Sequence, residues 1–436
     1  MVPCSTKNSL KKNILLLNKL GWGKQAKDVF LRSRSATIKH RSRQLKLEGN
    51  VTMFIRELAV VCFRLIKNTC DWYPELIESQ SMASALITWV QHEMARYASI
   101  FRRQVFQSFQ SFETISKCID YTSSEVELLG HAGLDLKFIL HQECFPDLIQ
   151  CIINYEETAI KSLNKAIAED NYSICETVSS DMEGVYSKNP TITKFPVISS
   201  VVKLDKTLEE FCVELKFIFN EWLSSQIVTS VSSIIENALK QLLIILRKGN
   251  ISLSQQLSIL SNTQAVVSWV IPRCAKRLDK LFGKVVSDIH SLETRLEGFP
   301  GTLQDVFAQR NAQPFVLISF NFSSPIYREV VDLIKKFNTL NKEIADYNLS
   351  PAQLMSNVID NMFFVMLEEK SWSDANGKPC VFSYKGVHQL VLDTHFFLKL
   401  CGNLVSKNAN RLANKVCEKS LRIYFSSNKS SGEPMM

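Results

Sequence analysis

Apolar side chains in this chain recur in alternating steps of three and four. Leu204, Leu208, Phe211, Leu215, Ile218 and Trp222 follow that rhythm, with Glu209, Glu210 and Lys216 falling between them; so do Val51, Phe54, Leu58, Val61 and Leu65. A helix turning about 100° per residue places such apolar groups on one stripe and the charges opposite. The residues that break helices are scarce, with 14 Gly and 12 Pro in 436 residues, each about 3% of the chain against roughly 7% and 5% in ordinary usage. Few turn-formers over such a length mean few turns and long elements. The expected fold is all-α: irregular helical bundles stacked end to end into an elongated rod, with no repeat of constant length.

A chain this long exceeds one compact core, so two or three domains are expected. Residues 178–200 mix Ser, Gly and Pro with few apolar anchors, which suggests a linker. The expected division is an N-terminal helical region over 1–180, a linker or long loop over 181–200, C-terminal bundles over 201–425 and a disordered tail over 426–436. Ser350-Pro351 is an N-cap followed by Pro at the first helical position and opens a helix to about Lys370. Pro272 interrupts the pattern from Ser261 to Leu281, so a kink or break is expected there. A strand-like run occupies Phe315 to Phe322, and a polar turn region occupies 371–386. Tyr97, Phe101, Val105, Phe109 and Phe112 form an aromatic stripe read as core on one further helix.

Composition sets aside several function classes. A net charge of +8 over this length permits attraction to acidic surfaces but does not demand nucleic acid, and no basic ribbon interleaved with aromatics supports nucleic-acid binding. Twelve scattered Cys without a Cys-x-x-Cys pair read as reduced, mostly buried thiols of a cytosolic protein. The runs Leu242–Leu246 and Met362–Leu367 are far shorter than the roughly 20 apolar residues a bilayer requires. Lys7, Lys11 and Lys12 break up any signal-peptide core.

Chemistry is equally thin. His92-Glu93-Met94-Ala95-Arg96 puts Arg where a zinc-protease helix needs its second His. His141 and Cys144 lie one turn apart without a further pair of ligands, and read as a core His beside a buried thiol. His388, Asp393 and His395 share a helix, and the pattern Gln389–Asp393 there reads as a packing seam. Gly377-Lys378-Pro379 lacks the glycines of a phosphate loop. No catalytic, cofactor or metal residues are assigned, no cofactor is expected, and the chain is not read as an enzyme.

The stretch from Leu17 to Arg43 carries the most information. An apolar helix ends at Leu20, where Gly21 is free to adopt the left-handed conformation. A second helix starts near Lys24 and carries Ala26, Val29, Phe30 and Ile38 inward. Its polar side bears Lys24, Lys27, Arg32, Arg34, Lys39, Arg41, Arg43 and Lys46 against a single acid, Asp28. Of these, Arg32, Arg34, Lys39, Arg41, Arg43 and Lys46 are candidates for contact with an anionic surface, each Lys or Arg near an anionic bilayer contributing on the order of 1 kcal/mol. The competing reading is a solvated helix face, or one neutralised by a neighbour.

Leu20-Gly21, Ala26 and Phe30 to Ser35 resemble a block in the exocyst component eight family. The similarity continues at Phe54-Ile55-Arg56-Glu57-Leu58, at Gly133-Leu134-Asp135-Leu136 and near Leu390 to Phe397, as scattered short matches over roughly 14–420. The resemblance implies an all-helical rod of the tethering-complex type. Its function would be that of a scaffold subunit, holding secretory vesicles at the plasma membrane through protein–protein surfaces. The implied partners are other exocyst subunits, with small GTPases and the anionic membrane as further contacts, and the implied location is cytoplasmic and peripheral at secretion sites and vesicles. In the family, an upstream coiled-coil segment and a pleckstrin-homology domain carry core assembly and contacts to GTPases or phosphoinositide, and neither is matched in this sequence. Two alternatives stand beside this reading: another helical tether or adaptor of Golgi or endosomal type, and a stand-alone module binding anionic lipid.

Overall fold

The computed structural model describes residues 7–46, 49–77, 83–108, 110–130, 133–179, 194–218, 221–248, 250–282, 296, 298–312, 326–347, 349–368, 372 and 384–429. The chain forms two units, one of Met1–Thr158 with Glu210–Ser230, the other of Ala159–Glu209 with Val231–Met436. The fold is all-α apart from one two-stranded ribbon among the described residues.

The first unit opens with α1 (Lys7–Lys19). Gly21 takes φ +77°, and the Gly21 and Trp22 amides turn back to Asn18 O at 3.0 Å and Leu17 O at 3.0 Å. This pair of bonds satisfies carbonyls that a helix end leaves open, and it needs a residue that tolerates positive φ. The chain then enters α2 (Gly23–Gln44), whose four-residue row Ala26, Phe30, Arg34 and Ile38 is buried. In α3 (Val51–Leu76) the Asn50 side chain caps the start, accepting from the Met53 amide at 3.2 Å. Ile55, Leu58, Ala59, Cys62, Phe63 and Ile66 form its buried stripe.

The aromatic stripe read as one helix is divided between two. α4 (Ala83–Phe101) runs into a wide π-turn, Arg102–Phe106, and α5 (Phe112–Gly130) begins anew. The reason is local: the Ser111 hydroxyl accepts from the Thr114 amide at 3.3 Å, so polar residues between the aromatics start a fresh helix. Tyr97, Phe101, Val105 and Phe112 are nevertheless all buried, while Phe109 lies outside the described residues. Phe63 and Tyr97 meet at a tilt of 54° with centroids 4.9 Å apart, and the Tyr97 hydroxyl pairs with Thr122 Oγ1 at 2.7 Å. Burying each such ring contributes about 1.5–3 kcal/mol. The first part of α6 (Lys137–Glu169) is held to the π-turn by Arg102, which donates to Asp147 Oδ2 at 2.6 Å and Glu143 O at 3.2 Å.

In the second unit β1 (Ile174–Ser179) pairs antiparallel with β2 (Lys194–Ile198). Of the expected linker 181–200, residues 194–198 are therefore strand and 199–200 open α7 (Ser199–Leu215), while 181–193 lie outside the described residues. The ribbon is fastened by a residue far along the chain. Asn262 of α9 (Leu253–Ala265), wholly buried, accepts from the Ile198 amide at 2.9 Å and donates to Pro196 O at 3.2 Å. At Pro272 the helix does not stop. A π-turn, Val266–Val270, joins α9 to α10 (Ile271–Phe282), and the widened turn accommodates the missing proline N–H.

Between them, α8 (Ser224–Lys248) corrects the sequence reading on one point: by length and composition it could cross a membrane. Its Ile234, Ile235, Leu239, Leu242 and Leu246 are buried in protein, which is how a core helix is built. Next come α11 (Phe299–Ala312), α12 (Ile326–Asp346) and α13 (Pro351–Glu368), the last opening at the Ser350-Pro351 signal. α14 (Tyr384–Cys401) and α15 (Lys407–Lys429) complete the unit, with Phe397 meeting Phe337 and Phe363 edge to face at 5.8 and 6.3 Å. The run Phe315–Phe322 and Gly377-Lys378-Pro379 lie outside the described residues, as do 430–436 of the expected tail; 426–429 are the end of α15.

Candidate docking face on the first helices

The six candidate cations on and just after α2 have two different environments. Arg32, Lys39, Arg41, Arg43 and Lys46 are exposed. Arg34 is only 4% exposed and points inward. Its Nε donates to Thr69 Oγ1 at 2.9 Å, a terminal nitrogen reaches Leu65 O at 3.4 Å, and the guanidinium lies 4.6 Å from the Trp72 ring centroid. Burial, and then the nearby Arg41 charge, push it below the usual arginine value. Arg34 thus joins α2 to α3 and offers nothing to an outside surface. Its place on the Ala26–Phe30–Ile38 row is the signal in the sequence that marks it as inward.

Ser35, the next residue, joins α2 to α4. Its hydroxyl donates to Glu93 Oε1 at 2.6 Å and accepts from Trp89 Nε1 at 2.8 Å, and Arg96 donates to the same Glu93 oxygen at 3.1 Å. Glu93 is buried, and its Oε2 has no hydrogen-bond partner. The sequence reading dismissed His92–Arg96 as a metal motif; its Glu and Arg are instead a packing device.

Sequence reasoning missed a second group of cations. Lys39 and Arg43 of α2 line a cleft of about 590 Å³ together with Arg96 of α4 and Arg103 of the π-turn, with Glu93 and Cys62 also on its walls. The two pairs are remote in sequence, and only the packing of α2 beside α4 makes one basic wall of them. Of these four, Arg96 is paired with Glu93 at 3.1 Å, as Lys27 is with Asp28 at 3.5 Å. Among the described residues no group of three His, Cys, Asp or Glu converges to hold a metal ion. His141 stacks on Phe145 at 5.1 Å and meets Trp222 at 5.2 Å, and burial pushes the Cys144 thiol up to about 12.

Residues 2–137, which include α1 to α5 and this whole face, match the family model described as Exocyst component 84 C-terminal. The likeness of this segment is thus to the exocyst component 84 family. It is 37% identical over 135 residues to Exocyst complex component EXO84 of Cryptococcus neoformans, covering 31% of this chain and 20% of that protein. Exocyst complex component 8 of rat is 30% identical over 156 residues, as is the human protein, covering 35% of this chain and 22% of each relative. The chain thus spans about a fifth of the length of the curated relatives it matches. Phe30, Leu31, Arg34 and Ser35 of the exocyst block are explained by the fold: two fill the core, and two tie α2 to its neighbours.

Proposed function

We propose that this chain is a non-enzymatic scaffold subunit of the exocyst, acting in the docking of secretory vesicles at the plasma membrane through protein–protein surfaces. One observation carries the reading: the segment of family likeness is a helical unit whose distinctive polar residues, Arg34 and Ser35, serve packing. Residues used up in packing make that segment a rigid support for outer faces. The corresponding location is cytoplasmic and peripheral, at secretion sites and on vesicles. Affinity purification of the tagged chain with mass spectrometry tests this. Recovery of exocyst subunits is expected, and recovery of Golgi or endosomal tether subunits without them would overturn it.

A second contact is favoured by the cleft, where Lys39 and Arg43 are joined by Arg96 and Arg103. Together with Arg32, Arg41 and Lys46 they form a face suited to an anionic membrane surface, at on the order of 1 kcal/mol per cation. Co-sedimentation with phosphatidylserine vesicles should fall sharply in Lys39→Glu/Arg41→Glu/Arg43→Glu. Unchanged binding would remove this contact and leave the scaffold reading in place.

A further inference from the structure

The stretch Gln389–Asp393 reads from sequence as a packing seam, yet only part of it packs. Leu390 is buried, whereas Leu392 is 62% exposed. Leu392 belongs to a row set at four-residue steps along α14: Tyr384, His388, Leu392, Phe396 and Leu400. All five are exposed, while Val387, Leu390, Thr394 and Phe397 on the other side are buried. At a rise of 1.5 Å per residue the row is roughly 24 Å long. Near Tyr384 it continues onto α15, where the Tyr424 ring lies 6.3 Å from Tyr384 and exposed Phe425 lies 5.4 Å further on.

The exposed charges of α14 are both positive. Lys385 and Lys399 are exposed beside the row, and the sole acid of α14, Asp393, is half-buried at its edge. The two imidazoles are engaged within the helix, His388 Nε2 with the Tyr384 hydroxyl at 2.9 Å and His395 Nδ1 with Val391 O at 2.9 Å. A narrow apolar ridge of four-residue steps is the shape that fits the groove of another helix. Apolar groups flanked by exposed Lys385 and Lys399, with a single half-buried acid at the edge, call for a partner with acidic flanks.

We propose that the outward face of α14 docks an acidic amphipathic helix of a partner protein, its apolar stripe seated on the Leu392–Phe396 ridge and its Asp and Glu flanks meeting Lys385 and Lys399. The inference rests on the scaffold reading, but its test involves no exocyst subunit. Failure here would leave co-purification of the complex intact, and loss of co-purification would leave this binding measurable.

The full chain is titrated against a fluorescent helical peptide of about 18 residues, matched to the ridge by the helical rise. The peptide carries Leu at i, i+3, i+4 and i+7 with Glu on the flanks; a second peptide has Lys in place of Glu. Saturable binding of the Glu peptide is expected. It should weaken at least about tenfold in Leu392→Glu/Phe396→Glu with an unchanged circular dichroism spectrum, and should weaken with added salt. If that variant alters the spectrum, Lys385→Glu/Lys399→Glu reads the same contact through charge alone and should reverse the preference between the peptides. Any of four results would overturn the proposal: no saturable binding; equal affinity for the Lys peptide; binding to phosphatidylserine vesicles alone, lost in the same variant; or self-association in sedimentation, lost in that variant, which would assign the face to a second copy.

Discussion

The guanidinium of Arg34 lies over the indole of Trp72, 4.6 Å from its centroid, while donating to Thr69 at 2.9 Å. A cation this buried is stable because the aromatic face and the hydroxyl replace the water it lost. Arg34→Ala should destabilise the first unit by about 2 kcal/mol, the sum expected for one charged hydrogen bond and one partly desolvated cation–π contact. Arg34→Lys should recover little, because an ammonium cannot lie flat on the ring and bond sideways at once. Urea unfolding followed by Trp fluorescence measures both. Arg41→Ala, on the exposed side of the same helix, should leave the midpoint where it is.

Ser35 and Glu93 are 2.6 Å apart and part-buried, with Trp89 on one side and Arg96 on the other. Removing either partner costs the other one of its hydrogen bonds, while those from Trp89 and Arg96 remain. A double-mutant cycle with Ser35→Ala and Glu93→Ala should therefore give a coupling energy of about 1 kcal/mol, the single changes together costing more than the double. Zero coupling would mean that the contact contributes nothing beyond packing.

Arg277 of α10 grips α7 with both arms, at 2.7 and 3.2 Å from the Asp205 carboxylate oxygens and 3.0 Å from Glu209. The Asp205 side chain is only 8% exposed, and its other cation, Arg273, stands off at 3.7 Å. Arg277→Ala should cost about 3 kcal/mol, most of it from leaving that carboxylate underpaired. Asp205→Asn/Arg277→Ala should lose less than Arg277→Ala alone. Thermal unfolding of the three proteins orders them.

Much of this architecture is legible in the spacing of residues. Gly21 marks its helix end because only a residue free at positive φ closes the turn, and Ser350-Pro351 marks a start because the missing N–H is harmless there. What resists reading is anything decided by a distant partner. Arg34 looks like Arg32 or Arg41 until Thr69 and Trp72 arrive beside it, although its step of four from Phe30 is a hint. The strand at Lys194–Ile198 depends on Asn262, and the cleft depends on Arg96 and Arg103 meeting Lys39 and Arg43. Leu392 shows the opposite case, where helical period alone cannot tell an inward ridge from an outward one.

Burial raises the thiols of Cys62 to about 11 and Cys144 to about 12 from an ordinary value of 9.0, and lifts the Tyr97 phenol well above its own. The folded chain keeps these protons where the unfolded chain would release them. Stability is therefore fully present below pH 9 and declines as pH rises toward 11, since the folded state binds more protons throughout that window. At pH 8 only about one Cys62 in a thousand is thiolate at such a value, so a disulfide reagent should meet an almost inert group until the protein unfolds. Cys175 is exposed, and among the described cysteines it should label first. Mass mapping of labelled peptides against time, alongside urea midpoints at pH 8, 9, 10 and 11, measures both effects. Native-state labelling of Cys62 as fast as Cys175, or a midpoint that rises with pH, would contradict a core closed around Phe63 and Tyr97.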